Sequence, residues 1–261
     1  MPWPMARHAL AEMGFEAEQG LSVALRHQIG GWGLTASAQA GRVLSDAPLG
    51  VFERLRSERQ KEAMASFGLT ADRRFGPLSA VLGLSWLAED STILGARFHD
   101  ALGGRGADTL FLDAEAGWAI APGWRVAGAF RQGWSRARGG GVIAAGSQFA
   151  SRGWSVDMER QGVLGAKDRL GFRLAQPLRV ERGGLNLDLP IAYDYTSATA
   201  TYAITRLNLA PQGREVMGEV TWGGPLWAGW GSAGVFYRRE PGHYAALPDD
   251  KGMAIRWQGA F

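Results

Sequence analysis

From Trp124 to Trp134 the chain alternates in character. Trp124, Val126, Gly128, Phe130 and Trp134 fall on one face of an extended strand, and Arg125, Ala127, Ala129, Arg131 and Gly133 fall on the other. Consecutive side chains of a strand point to opposite faces, whereas helical spacing of three and four would mix the two sets. The same period recurs along the chain. Leu110, Leu112, Ala114, Ala116, Trp118 and Ile120 oppose Asp113 and Glu115, and Leu170, Phe172, Leu174, Leu178 and Val180 oppose Arg169, Arg173 and Arg179. Leu185, Leu187, Leu189, Ile191 and Tyr193 oppose Asn186 and Asp188. Val216, Gly218, Val220 and Trp222 oppose Glu215, Glu219 and Thr221, and Leu21, Val23, Leu25 and Ile29 oppose Ser22, Arg26 and Gln28.

These runs extend over roughly 9–14 residues, against about 5–6 for a typical soluble strand. A tilted strand that crosses a bilayer needs about 9–11 residues, one face toward lipid and the other toward a polar lumen. Length and alternation together predict an all-β fold: a transmembrane, antiparallel, up-and-down β-barrel of about twelve strands. Short breaks at Gly30-Gly31, Gly76-Pro77, Ala121-Pro122-Gly123, Gly183-Gly184 and Gly223-Gly224-Pro225 supply turn chemistry. Longer polar connections are expected near 45–59, 96–108, 137–147, 196–205 and 240–251. Strand starts are expected at Leu21, Trp32, Gln60, Leu78, Asp108, Trp124, Gln148, Asp168, Leu185, Gln212, Trp227 and Lys251, with a further strand near 199–209 as the alternative that would restore the alternation of long and short connections. Pro177 and Pro190 fall inside predicted strands and each removes a ladder hydrogen bond, so bulges or strand ends are expected there.

Composition narrows the class. The mean hydropathy of −0.12 is far below that of a helical membrane protein, and no run of roughly 20 apolar residues occurs. The absence of cysteine excludes disulfides, thiolate metal sites and thiol nucleophiles. The net charge of +3 comes from arginines spread along the chain, not from a basic block, so nucleic acid is not an expected partner. Eleven tryptophans fit the interfacial girdles of a membrane barrel. Residues 1–19 contain one arginine, several acids and no apolar core, so they do not read as a secretory signal. An exported barrel would then derive from a longer precursor. Residues 1–19 are assigned to a leader, linker or pore helix (residues 5–18 have suitable apolar spacing), or to an extended strand beginning at Phe15. Residues 20–261 are assigned to the barrel.

Counting back from the C-terminus, Phe261, Gly259, Trp257, Ile255 and Met253 share a face, with Gln258 and Arg256 opposite. This segment resembles the terminal strand of bacterial outer-membrane proteins, which implies an assembly signal read by the barrel-assembly machinery. The stretch from Asp168 to Val180 with Gly183-Gly184-Leu185, the segment Leu207-Asn-Leu-Ala-Pro-Gln-Gly-Arg-Glu215, and Pro241-Gly-His-Tyr244 resemble the C-terminal barrel of subtilisin-like serine protease autotransporters. The resemblance covers roughly the last hundred residues. It implies a type V secretion translocator in the Gram-negative cell outer membrane that anchors and helps export an N-terminal, protease-like passenger missing from this chain. Its expected partners are the lipid bilayer, the barrel-assembly machinery and that passenger. The alternatives are a stand-alone channel or porin-like barrel for small solutes, and a soluble β-protein with an internal cavity.

No catalytic motif stands out. The histidines His8, His27, His99 and His243 are scattered, Gly-x-Ser-x-Gly is absent, and Gly139-Gly140-Gly141 lies between strands instead of opening a helix. His99-Asp100 alone lacks the donors of a metal site. The chain is therefore not expected to be an enzyme or to hold a cofactor. The residues expected to matter are those turned to the lumen: Arg26, Asp113, Glu115, Arg125, Arg131, Asp157, Arg169, Arg173, Arg179, Glu215, Glu219 and Arg256. Trp118, Trp124, Phe130, Trp134, Phe172 and Trp222 are expected to face lipid.

Overall fold

The computed structural model describes residues 17–44, 61–97 and 103–259. The chain is all-β. The wall strands are β1 (Ala17–Ile29), β2 (Trp32–Leu44), β3 (Lys61–Phe75), β4 (Leu78–Glu89), β7 (Ala107–Ala121), β8 (Trp124–Ala137), β9 (Gln148–Gln161), β10 (Arg169–Asp194), β12 (Val216–Leu226), β13 (Gly229–Arg239) and β14 (Asp250–Gly259). Strands β5 (Thr92–Ile93) and β6 (Ala96–Arg97) form a two-residue ribbon in the connection after β4, and β11 (Thr199–Asn208) pairs only with β10. Each wall strand pairs antiparallel with the next along the chain, apart from β10, whose first half pairs with both β9 and β12. Among the described residues one helical turn occurs, a 3-10 turn at Pro241–His243, and no helix is long and apolar enough to cross a membrane.

The two ends of the sheet differ. Strands are joined by Gly30-Gly31, Gly76-Pro77, Pro122-Gly123 and Trp227-Ala228 at one end, where residues 162–168 also turn the chain from β9 into β10. At the other end lie residues 90–97 and 103–106, 138–147, 209–215 and 240–249, which belong to the longer connections. The expected closed barrel is seen as one twelve-stranded antiparallel sheet whose edges, β1 and β14, do not pair with each other.

Three expectations about the strands are corrected. Gly183-Gly184 does not reverse the chain, and Leu185 does not begin a strand. Instead β10 runs on for 26 residues, and its outer half leaves the wall to form a hairpin with β11. Gly183 takes a φ of +97°, and the register with β9 shifts between Val180 and Arg182, so the glycine bends the strand without turning it back. Gly223-Gly224-Pro225 likewise lies inside β12, with the turn two residues later. The strand considered near 199–209 exists as β11, which accounts for the missing alternation. Both prolines sit at irregularities, with register shifts between Gln176 and Arg179 and between Pro190 and Ala192. The helix expected over 5–18 falls outside the described residues, except Ala17 and Glu18, which belong to β1.

A methyl group at Gly183 would run into the Gln148 carbonyl and approach the Phe149 Cα to 2.6 Å, in a backbone conformation that L-residues rarely adopt. Gly183→Ala is expected to cost at least about 1–3 kcal/mol from the backbone strain alone. The loss should appear as a lower unfolding midpoint, with the hairpin amides exchanging first.

Candidate functional site

The pairing register assigns the described wall side chains to one face or the other. Val23, Leu25, Ala36, Leu69, Leu84, Leu112, Val126, Val156, Phe172, Val220, Val235 and Met253 lie on one face through continuous cross-strand pairs. These apolar side chains are the open ones: Leu25 is 74% exposed and Leu69 64%. On the other face Thr109 is 0% exposed and Ser155 1%. Polar residues that are covered while leucines are bare mean that the sheet curls with its polar face on the concave side.

The apolar face is banded. Trp32, Phe75, Trp118, Trp124, Trp222 and Trp257 lie toward the tight-turn end, and Phe67, Trp86, Trp134, Trp154 and Tyr237 toward the loop end. Phe67 stacks on Trp86 with ring centroids 6.0 Å apart. Among the described residues no Asp, Glu, Lys or Arg side chain lies between the two rows, and His27 is the titratable group that the band contains. Cations return at the borders, where the Arg73 guanidinium sits 5.3 Å over Trp32 and that of Arg160 5.2 Å over Trp124. Trp124 and Trp134 are ten residues apart, which at roughly 3.3 Å per residue and a tilt of roughly 40° is about 25 Å across the band. Met253, Ile255, Trp257 and Gly259 share this face; Phe261 lies outside the described residues. Trp222 is on the same row but is half-buried where its neighbours are exposed, its indole N–H donating to Asp168 Oδ2 at 2.9 Å.

The concave face gathers the predicted charged residues. Asp113 pairs in register with Arg131, and Arg131 Nε donates to Asp113 Oδ1 at 2.6 Å. Arg173 is flanked in register by Asp157 on β9 and Glu219 on β12, with its Nη1 3.9 Å from Asp157 Oδ1. Arg26 reaches across β2 to Asp72 on β3, donating at 2.5 and 2.7 Å. The pair passes over Gly33, where any Cβ would collide with the guanidinium. Asp72 was not anticipated from the alternation, because it sits beside Arg73 and Arg74 in a run that reads as surface charge. Glu115, Arg125, Arg169 and Arg256 lie on the same face. Glu115 Oε1 is buried without a hydrogen-bond partner among the described residues.

Two predicted residues do something else. The register shift between Gln176 and Arg179 takes Arg179 off the face of Arg169 and Arg173 and aligns it with Arg152. It is buried, with Nε donating to the Gly213 carbonyl at 2.9 Å and Nη1 to Glu181 at 2.9 Å. Glu215 lies just ahead of β12, where it accepts from Arg238 Nε at 2.7 Å and from the Gly242 N–H at 2.6 Å. Around them Arg214 donates to both oxygens of Glu181 at 2.8 and 2.7 Å. That hydrogen bond, opposed by burial, holds the Glu181 carboxyl below its usual range. Segments 176–181, 207–215 and 240–244, far apart in sequence, thus meet in one clamp at the loop end.

The loop-end interior is apolar instead of polar. Met64, Leu87 and Phe111 form one cluster, and Ile93, Ala107, Ala137, Ile143, Phe149 and Leu185 form another, with Leu94 packed against both. These side chains occupy concave-face positions because residues 90–97 and 138–147 fold inward and need a core. Residues 142–144 are tied to β10 by Asp188 N–H to the Val142 carbonyl and Ala144 N–H to the Asn186 carbonyl, both 2.8 Å.

At the opposite end Asp168 organises the turn into β10. Its carboxylate accepts from the N–H groups of Val163 and Leu164 at 2.8 Å and of Gly165 at 3.2 Å, and from Trp222. Enclosure raises its pKa, but the Trp222 indole and the three backbone donors outweigh that and bring it to about 2. A carboxyl depressed from 3.8 to about 2 contributes stability that is complete above pH 3.8 and is lost as pH falls through 2. The Val163, Leu164 and Gly165 amides are therefore expected to lose exchange protection across that window. Asp168→Asn should show fast exchange there at neutral pH.

Among the described residues no group of three or more His, Asp or Glu could hold a metal ion. His99, His8 and the 45–59 connection lie outside the described residues. No protein-family model, curated protein or solved structure matches the chain.

Proposed function

We propose that this chain is the wall of a Gram-negative outer-membrane β-barrel that serves as an autotransporter translocator, anchoring and helping to export an N-terminal passenger. The observation that carries the membrane part is the charge-free, solvent-open apolar band bordered by two aromatic rows, with charges gathered on the concave side. Monomeric soluble proteins rarely leave so large an apolar surface bare. Hydrocarbon fits it, and a band about 25 Å tall flanked by aromatic girdles is what a bilayer requires of a strand wall.

Topology supports a closed wall of even strand number. Eleven strands run between the two ends among the described residues, and β1 and β14 both run from the loop end to the tight-turn end. Antiparallel closure therefore needs a strand of opposite direction between them, which brings the wall to twelve. The translocator role rests on the quoted segments near 168–185, 207–215 and 241–244, most of which converge on the loop-end clamp. Export would draw on the free energy of folding, with no nucleotide.

Folding into lipid vesicles followed by unheated gel electrophoresis tests the barrel, which should migrate faster before boiling than after. The translocator is tested by fusing a small folded reporter ahead of residue 1 and treating intact cells with protease. Cleavage of a surface-exposed reporter supports it. A reporter retained in the periplasm, with ion conductance by the purified protein in planar bilayers, would favour a solute channel instead.

A further inference from the structure

His243 lies in the connection between β13 and β14. Its Nδ1 accepts the Glu215 N–H at 2.9 Å, and its Nε2 lies 3.1 Å from the Leu178 carbonyl, to which it can only donate. One protonation state satisfies both contacts: a neutral ring with its proton on Nε2. The Gly213 N–H also donates to the His243 carbonyl at 3.1 Å, so this residue ties residues 240–249 to the β11–β12 connection and to the irregular part of β10.

We propose that His243 is a proton-released latch: protonating its ring opens the loop-end clamp while leaving the strand wall folded. A second ring proton would sit on Nδ1 and point at the Glu215 N–H, replacing a hydrogen bond with two opposed donors. The surrounding charges are defined. From β10 come Arg179 and Glu181; from the β11–β12 connection, Arg214 and Glu215; from β13, Arg238; and from its own connection, Glu240. Glu215 favours the imidazolium, but both its oxygens are already engaged by Arg238 and the Gly242 N–H. Arg179 and Arg214 oppose it, and burial lowers the ring's pKa below 6.5. A base depressed in the folded state keeps its full contribution above the unfolded pKa of about 6.5 and loses it as pH falls below that value.

The latch depends on the loop geometry alone and stands whether or not the wall spans a membrane. Hydrogen exchange of the folded full-length chain, corrected for intrinsic rates, is compared at pH 7.5 and pH 5. The Gly213, Glu215 and Tyr244 amides should lose about tenfold or more protection at pH 5, while Gly128 in β8 stays unchanged. His243→Gln, whose amide offers an acceptor and a donor but does not titrate, should remove the pH dependence. His243→Ala should exchange fast at both pH values. Equal protection of the wild-type loop at the two pH values, or a pH-dependent loss that persists in His243→Gln, would overturn the proposal.

Discussion

Leu69→Arg is expected to destabilise the chain folded into lipid vesicles by about 2–4 kcal/mol, the cost of a cation near the midplane of the proposed lipid face. Leu69 sits in the middle of β3, its side chain 64% exposed and flanked in register by Ala36 on β2 and Leu84 on β4. It makes few contacts that an arginine would break, so packing contributes little. If the apolar face met water, the same exchange would belong to the ordinary surface class, within about 0.5 kcal/mol of neutral. Urea titration of the chain folded into lipid vesicles, followed by tryptophan fluorescence, measures the difference. A charge on the border row, where Arg73 and Arg160 already sit over aromatic rings, should cost far less because the side chain reaches the headgroups.

The second large effect is expected on the concave face. Arg131→Met should destabilise the wall by about 3 kcal/mol, because it strands Asp113 in a site largely closed to water. Both partners of this ion pair are about one-seventh exposed, and Glu115 lies two residues from Asp113 on the same face. Losing Arg131 therefore leaves two carboxylates with less cation around them. The double variant Arg131→Met with Asp113→Leu should recover most of the loss, since removing both charges avoids an uncompensated one. The same titration, run as a double-mutant cycle, gives the coupling directly. A cycle in which the two single losses simply add would mean that the pair does not interact across the β7–β8 ladder.

Much of this arrangement is legible from the alternation of residue character, and the reason is geometric. A strand has a period of two, so Trp124, Val126, Gly128 and Phe130 must share a face once the segment is extended, whatever its neighbours are. That logic fails where the period slips. At Pro177 and again near Glu181 the register of β10 shifts, and Arg179 leaves the face that counting by twos assigns to it. Gly183-Gly184 reads as a turn by composition, yet its positive φ only bends a long strand, because the Leu185–Leu189 segment finds a partner in β11 and a cover in residues 142–144. The clamp of Arg179, Glu181, Arg214, Glu215 and His243 is a tertiary meeting of three loops, and no local pattern announces it. The loop-end apolar cluster is equally hidden, since Met64, Leu87, Phe111 and Phe149 occupy concave positions on a face that is mostly polar or small elsewhere.

In the proposed barrel one face of this sheet contacts hydrocarbon and the other an aqueous interior. The sequence contains no cysteine, so a spin label can be placed on a single introduced thiol at each position from 124 to 134 in turn. Collision rates with oxygen, which concentrates in hydrocarbon, and with a water-soluble nickel chelate are then read for the protein in lipid vesicles. Oxygen maxima at 126, 128 and 130 with nickel maxima at 125, 127, 129 and 131 are the predicted result. A profile with no period of two, or one with these phases reversed, would contradict it.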